Sequence, residues 1–96
     1  MLSAKRRAAL AGFAQTLDSL ASLGKAGLTE AFVARLDVLL GDHELVKVRL
    51  GERREERRAL AAEIAQRTRS ELVTVIGTVA VLFRPDPDPE RRRFDP

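Results

Sequence analysis

Leu17–Leu50, LDSLASLGKAGLTEAFVARLDVLLGDHELVKVRL, is the stretch that decides the fold, because its periodicity changes twice. Leu17–Leu23 reads as a short strand, and Gly24-Lys25-Ala26-Gly27 as a tight turn. Thr29 stands where a helix N-cap belongs. Phe32, Val33, Leu36, Leu39 and Leu40 follow it at helical spacing and make one broad apolar face. Gly41 is the expected helix stop. Glu44–Leu50 then alternates, with Val46, Val48 and Leu50 on one face and Leu45, Lys47 and Arg49 on the other, which is a strand. Strand, helix and strand joined by short connections make a crossover unit, and such crossovers are right-handed.

The flanks extend this unit. Ser3 can cap a helix running to about Ala14, with Leu10, Phe13 and Ala14 as its buried stripe and Arg6 and Arg7 emerging at the stripe's end. A third helix is expected over about Glu52–Thr68, burying Leu60, Ala61, Ile64 and Ala65. Leu72–Ile76 and Val79–Phe83 are β-branched-rich runs around Gly77-Thr78, the signature of a hairpin. From Pro85 the alternation of proline and aspartate predicts an extended, mobile tail. The expectation is one α/β (α+β) domain over residues 1–85, of order α-β-α-β-α-β-β with a four-stranded mixed sheet, followed by a tail over 86–96.

Composition narrows the function. With 45% apolar and 32% charged residues the chain has the make-up of an ordinary globular domain. The absence of cysteine removes disulfides and thiolate zinc sites and suits a reducing cytoplasm. No apolar run is long enough to span a bilayer, and Met1–Arg7 is charged without the apolar stretch of a signal peptide, so no membrane role is expected. The net charge of +3 is carried by residues 1–28, where Lys5, Arg6, Arg7 and Lys25 face only Asp18. A basic patch on a neutral body fits a local contact with a polyanion.

Gly24-Lys25-Ala26-Gly27 between strand and helix carries the chemistry. Glycines three apart let the backbone turn tightly and approach a ligand with no Cβ in the way. The helix behind them presents open N–H groups and its positive dipole end. Lys25 adds a mobile charge. This is a phosphate clamp of the kind the KH domain's GXXG loop applies to RNA.

Leu23–Glu30, then His43-Glu44-Leu45-Val46-Lys47-Val48-Arg49 one helix later, then Val75-Ile76-Gly77 and Val81–Pro85, resemble the CRM-domain family, in particular its stand-alone bacterial YhbY-type members. The resemblance covers residues 1–85 and includes the order of elements. It implies a fold like the C-terminal domain of a bacterial translation initiation factor. It also implies RNA binding, with association to large-subunit precursors and a part in ribosome assembly. Gly24, Gly27 and Thr29 carry over from the family's RNA-contacting loop, with Lys25 and Ala26 between the glycines; His43, Glu44, Lys47 and Arg84 match further positions of the pattern. Ala26 stands where the YhbY type often has Asn, and Thr78 where it often has Lys, so polar reach is reduced at both.

The expected RNA-binding set is therefore Gly24, Lys25, Ala26, Gly27, Thr29, Lys5, Arg6, Arg7, Lys47, Arg49 and Arg84. Arg53, Arg54, Arg57 and Arg58 form a second candidate strip, in which like charges recur at i, i+4 although opposite charges would favour a free helix. The plain structural alternatives are that His43 caps helix carbonyls, Glu44 pairs with a neighbouring base, and Lys47 and Arg49 lie on a solvated face. Phe13, Phe32 and Phe83 fall at core positions, which argues against base stacking.

One histidine, no cysteine and scattered acids build neither a catalytic pair nor a metal site, so no enzyme, metal or cofactor is expected. DNA ranks below RNA because no recognition helix is legible. The competing reading is a protein-interaction module that docks through the tail or an exposed strand. A monomer is expected.

Overall fold

The computed structural model describes residues 2–51 and 55–94. The chain forms α1 (Ala4–Ala14), β1 (Ser19–Ser22), α2 (Glu30–His43), β2 (Leu45–Arg49), α3 (Arg57–Thr68), β3 (Glu71–Ile76) and β4 (Val79–Phe83), with a 3₁₀ turn at Pro89–Arg91. The anticipated order of elements holds. The sheet is four-stranded and mixed, in the order β1-β2-β4-β3. β1 pairs parallel to β2, while β4 inserts antiparallel between β2 and β3, so β1, β2 and β3 all run the same way.

Two apolar layers close on this sheet. On one face α2 and α3 bury Leu36, Leu40 and Ile64 against Val46, Val48 and Leu82. On the other α1 lays Leu10 and Ala14 over Leu45, Val73, Val81 and Phe83. A fully buried leucine or isoleucine contributes about 1.5–3 kcal/mol by leaving water, so these few side chains dominate the stability of so short a chain. β2, one of the two inner strands, feeds both layers by its alternation: Val46 and Val48 enter one and Leu45 the other.

Four expectations change. Gly41 does not stop α2, which runs on to His43; the positive backbone angle falls on Glu44 (φ 63°), whose N–H still bonds Leu40 O at 2.9 Å. α3 starts at Arg57, with Glu56 before it giving no side-chain cap, and the Glu52–Arg54 part of the expected helix lies outside the described residues. Phe13 leaves the buried stripe and is 47% exposed; its ring lies 5.5 Å from that of Phe94, which comes over from the tail. The tail is not uniformly extended. Asp88 caps the 3₁₀ turn, and the buried Glu44 carboxylate accepts the N–H groups of Asp86 (2.6 Å) and Arg93.

The parallel strands fix what lies at each end of the sheet. The turn after β1, the start of the α3 connection after β2 and the hairpin after β3 all leave from the carboxyl ends of their strands. Each holds a glycine at positive φ: Gly27 at 77°, Gly51 at 74° and Gly77 at 57°. These turns are stitched together, with Leu23 N–H on Arg49 O at 2.8 Å and Leu50 N–H on Thr78 O at 2.6 Å. Ligands of open α/β sheets bind outside the carboxyl ends of the strands.

Candidate nucleic-acid interface

Gly24-Lys25-Ala26-Gly27 forms a β-turn closed by Gly27 N–H on Gly24 O at 3.1 Å. Gly27 then takes φ 77°, where a Cβ would strain the chain, and its carbonyl receives Thr29 N–H at 3.0 Å. Thr29 is the N-cap that its position implies: its Oγ1 accepts Phe32 N–H at 3.1 Å and its carbonyl accepts Val33 N–H. The N–H groups of Glu30 and Ala31 belong to the first turn of α2, whose N–H groups have no partner within the helix. Lys25 and Ala26 are exposed, and a Cβ added at Gly24 would meet no atom within 4 Å, so the turn is open on its outer side. Glu30 puts a carboxylate into the first turn and offsets part of the dipole's attraction for an anion.

The other expected residues separate by position. Lys5 and Arg6 are exposed, but Arg7 turns back and donates from Nη1 to Leu72 O at 3.0 Å. Leu72 pairs with Leu82 and so lies at the strand end marked by Leu45 and Phe83, whereas the glycine turns lie beyond Arg49 and Val79. The five residues from Leu45 to Arg49 span about 13 Å over four steps. The basic start of α1 and the Lys25 turn, neighbours in charge along the sequence, therefore occupy opposite ends of the sheet.

Within the sheet, Lys47 is half-buried and its Nζ donates to Leu17 O at 2.9 Å. Arg84 knits α2 to α3: Nη1 reaches Asp37 Oδ1 at 2.5 Å and Thr68 O at 2.8 Å, and Nη2 reaches Asp37 O at 2.8 Å. Both cations already have internal partners. Arg49 is exposed at the glycine-turn end.

Of the second strip, Arg57 donates from Nη1 to Gly77 O at 2.7 Å, tying α3 to the hairpin, while its buried Nε has no partner among the described residues. Arg58 is exposed. Arg53 and Arg54 lie outside the described residues, so the i, i+4 stripe is described only at its Arg57–Arg58 end. Thr78, at the reduced-reach position, is half-buried in the hairpin turn.

Two roles were invisible in the sequence. Glu44 does not pair with a base; it holds backbone N–H groups of the tail. Arg35 lies on the rim of a cleft beside β1, and the only signal for it was its place three residues after Phe32, at the border of the apolar face. Among the described residues no helix is long and apolar enough to cross a membrane, and no group of His, Cys, Asp and Glu is placed to hold a metal ion.

A mixed sheet with crossover helices starting at one end, and a glycine-flanked turn leading into a threonine-capped helix there, defines a small α/β domain with a GxxG loop. Comparison with known proteins makes the class specific. The model of the CRS1 / YhbY (CRM) domain family matches residues 2–84, and the chain belongs to that family. A probable RNA-binding protein of Pseudomonas aeruginosa is 46% identical over 66 residues, covering 68% of this chain and 64% of the relative, so the match spans just under two thirds of that protein. An RNA-binding protein of Haemophilus influenzae is 38% identical over 85 residues, covering 88% of this chain and 86% of that one. The solution structure of a hypothetical protein of Staphylococcus aureus, described as a candidate RNA binder, superimposes with a TM-score of 0.83 at 31% identity. That match covers 99% of this chain and 100% of the other.

Proposed function

We propose that this chain binds RNA through the Gly24–Gly27 turn, that its target is ribosomal RNA in precursors of the large subunit, and that it assists their assembly in the cytoplasm as a monomer. The observation that carries the RNA reading is the turn itself. An exposed lysine sits on a glycine-shaped turn that leads within two residues into the Thr29 cap of α2, at the carboxyl end of the parallel strands. The names of the relatives support the same partner, and the ribosomal target rests on the family resemblance. The backbone N–H groups bind phosphate regardless of base, so sequence choice comes from elsewhere on the surface.

Replacing Lys25 and Ala26 together by aspartate places negative charge against the phosphates. The K25D/A26D variant should lose RNA binding in a filter or anisotropy titration while keeping its circular dichroism spectrum, since both side chains are exposed on a turn. Unchanged affinity in a folded variant refutes the clamp. The target is tested separately by gradient sedimentation: the protein should travel with free large subunits and their precursors and be scarce on polysomes. An even spread would remove the assembly reading and leave RNA binding standing.

A further inference from the structure

β1 is an edge strand, hydrogen-bonded to β2 alone, and along it runs a cleft of about 430 Å³ whose lining reaches Ser22, two residues before Gly24. Ser19, Leu20 and Ser22 line it from β1, Phe32 and Arg35 from α2, and Arg49 from β2. We propose that this cleft holds the single-stranded nucleotides adjoining the phosphate clamped at Gly24–Gly27, with Arg35 and Arg49 on the phosphates and Ser19 and Ser22 on the riboses. The inference rests on the RNA reading above and extends it from one turn to a path.

Continuity comes first. Ser22 is two residues before Gly24 and pairs in register with Arg49, and Phe32 and Arg35 sit in the first two turns of the helix that follows the clamp. A strand held at the turn reaches the cleft without leaving the surface. The chemistry of the lining then selects the occupant. Arg35 and Arg49 are exposed, and neither guanidinium has a hydrogen-bond or ion-pair partner among the described residues, unlike Arg7, Arg57 and Arg84. Cations gathered at one cleft with no acid between them repel each other until an anion enters, and guanidinium matches phosphate geometry. The serine hydroxyls can both donate and accept, which suits a ribose 2′-OH.

Between these polar groups lie Leu20, 37% exposed, and the half-buried Phe32. Phe32 thus does two jobs, packing on the core and lining the cleft, which the core reading of its spacing did not include. An apolar floor flanked by cations accepts the face of an unstacked base, and a base held within a duplex cannot present that face. The volume lies within the range of pockets that enclose small organic ligands, which is nucleotide scale rather than duplex scale.

The test uses fluorescently labelled oligouridylates of about four nucleotides, the reach of a GXXG loop alone, and about eight. The wild-type protein should bind the longer one at least about tenfold more tightly, a difference of about 1.4 kcal/mol. In R35Q the short oligomer should bind as before, and in R35Q/R49Q the length gain should vanish, with the log–log salt slope for the long oligomer falling by about 1.4, or about 0.7 per lost phosphate contact. In S19A/S22A the preference for the long oligouridylate over its deoxyribose counterpart should shrink. Retention of the full length gain by a folded R35Q/R49Q overturns the proposal and leaves the β1 edge as a surface for an extended peptide. If K25D/A26D alone loses binding, the clamp stands and the cleft falls. If the wild-type protein binds neither oligomer, the RNA reading itself has failed.

Discussion

The two ends of the sheet solve the same backbone problem with opposite residues. At the carboxyl end of the parallel strands, positive φ is taken by Gly27, Gly51 and Gly77; at the amino end it is taken by Glu44 and Arg69. Glycine enters the left-handed region without a Cβ penalty and adds no side chain to cover the turn. A glutamate or an arginine at positive φ costs about 1–3 kcal/mol and has to be held there by its surroundings. Glu44 is held by its buried carboxylate, which gathers tail N–H groups, and nearby Arg84 N–H bonds Glu44 O at 2.8 Å. One end is therefore closed by polar groups that satisfy one another. The other is built on glycine turns, with Lys25 and Arg49 exposed beside them. By contrast, Glu44, Lys47 and Arg84, charged residues that match the family pattern, all have internal partners.

Substitutions at each end sharpen this contrast, and their effects on stability should fall in order. Glu44→Ala removes the acceptor for two part-buried backbone N–H groups and should cost about 1–3 kcal/mol in urea unfolding, with RNA affinity of the folded fraction unchanged. Loss of affinity in the folded fraction would break the division of labour between the ends. Gly27→Ala, at φ 77°, should cost about 1 kcal/mol by the same measurement and also weaken RNA binding, because the turn must re-form around the new side chain. Gly24→Ala meets open space at ordinary φ and should leave stability within about 0.5 kcal/mol. Its RNA affinity should nevertheless drop about tenfold if a phosphate approaches that backbone. Unchanged affinity in G24A would mean that the first glycine serves the turn alone.

The order of elements was legible because α2 and β2 carry clean periods of their own, and the Thr29 cap and glycine turn are local signals. What stayed hidden was set by strand order. β4 enters between β2 and β3, which places the start of α1 and the Lys25 turn at opposite ends; no periodicity reports that insertion. Arg84 and Lys47 looked the same as Arg49 in the sequence, since a guanidinium bound to Asp37 or an ammonium bound to Leu17 O differs from an open one only through residues far away in the chain. Gly41 misled for a related reason. Helices tolerate glycine, and α2 ends where the long-range partners of Glu44 allow, not at the first residue able to end it.

The insertion of β4 also bears on how the chain comes together in time. β1 joins β2 across one helix, and β3 joins β4 across a tight hairpin, so each half can close its own ladder early. The β2–β4 pairing has to span α3 and the whole of β3 before Val46 meets Leu82. Closure entropy grows with the length of chain enclosed, and folding slows as contacts become less local, so that seam is the step on which the two halves wait. Both helix-side and α1-side layers cross it, through Leu82 and Val46 on one face and Leu45 and Phe83 on the other. Neither core is complete until the seam has closed, and the domain assembles as one cooperative unit.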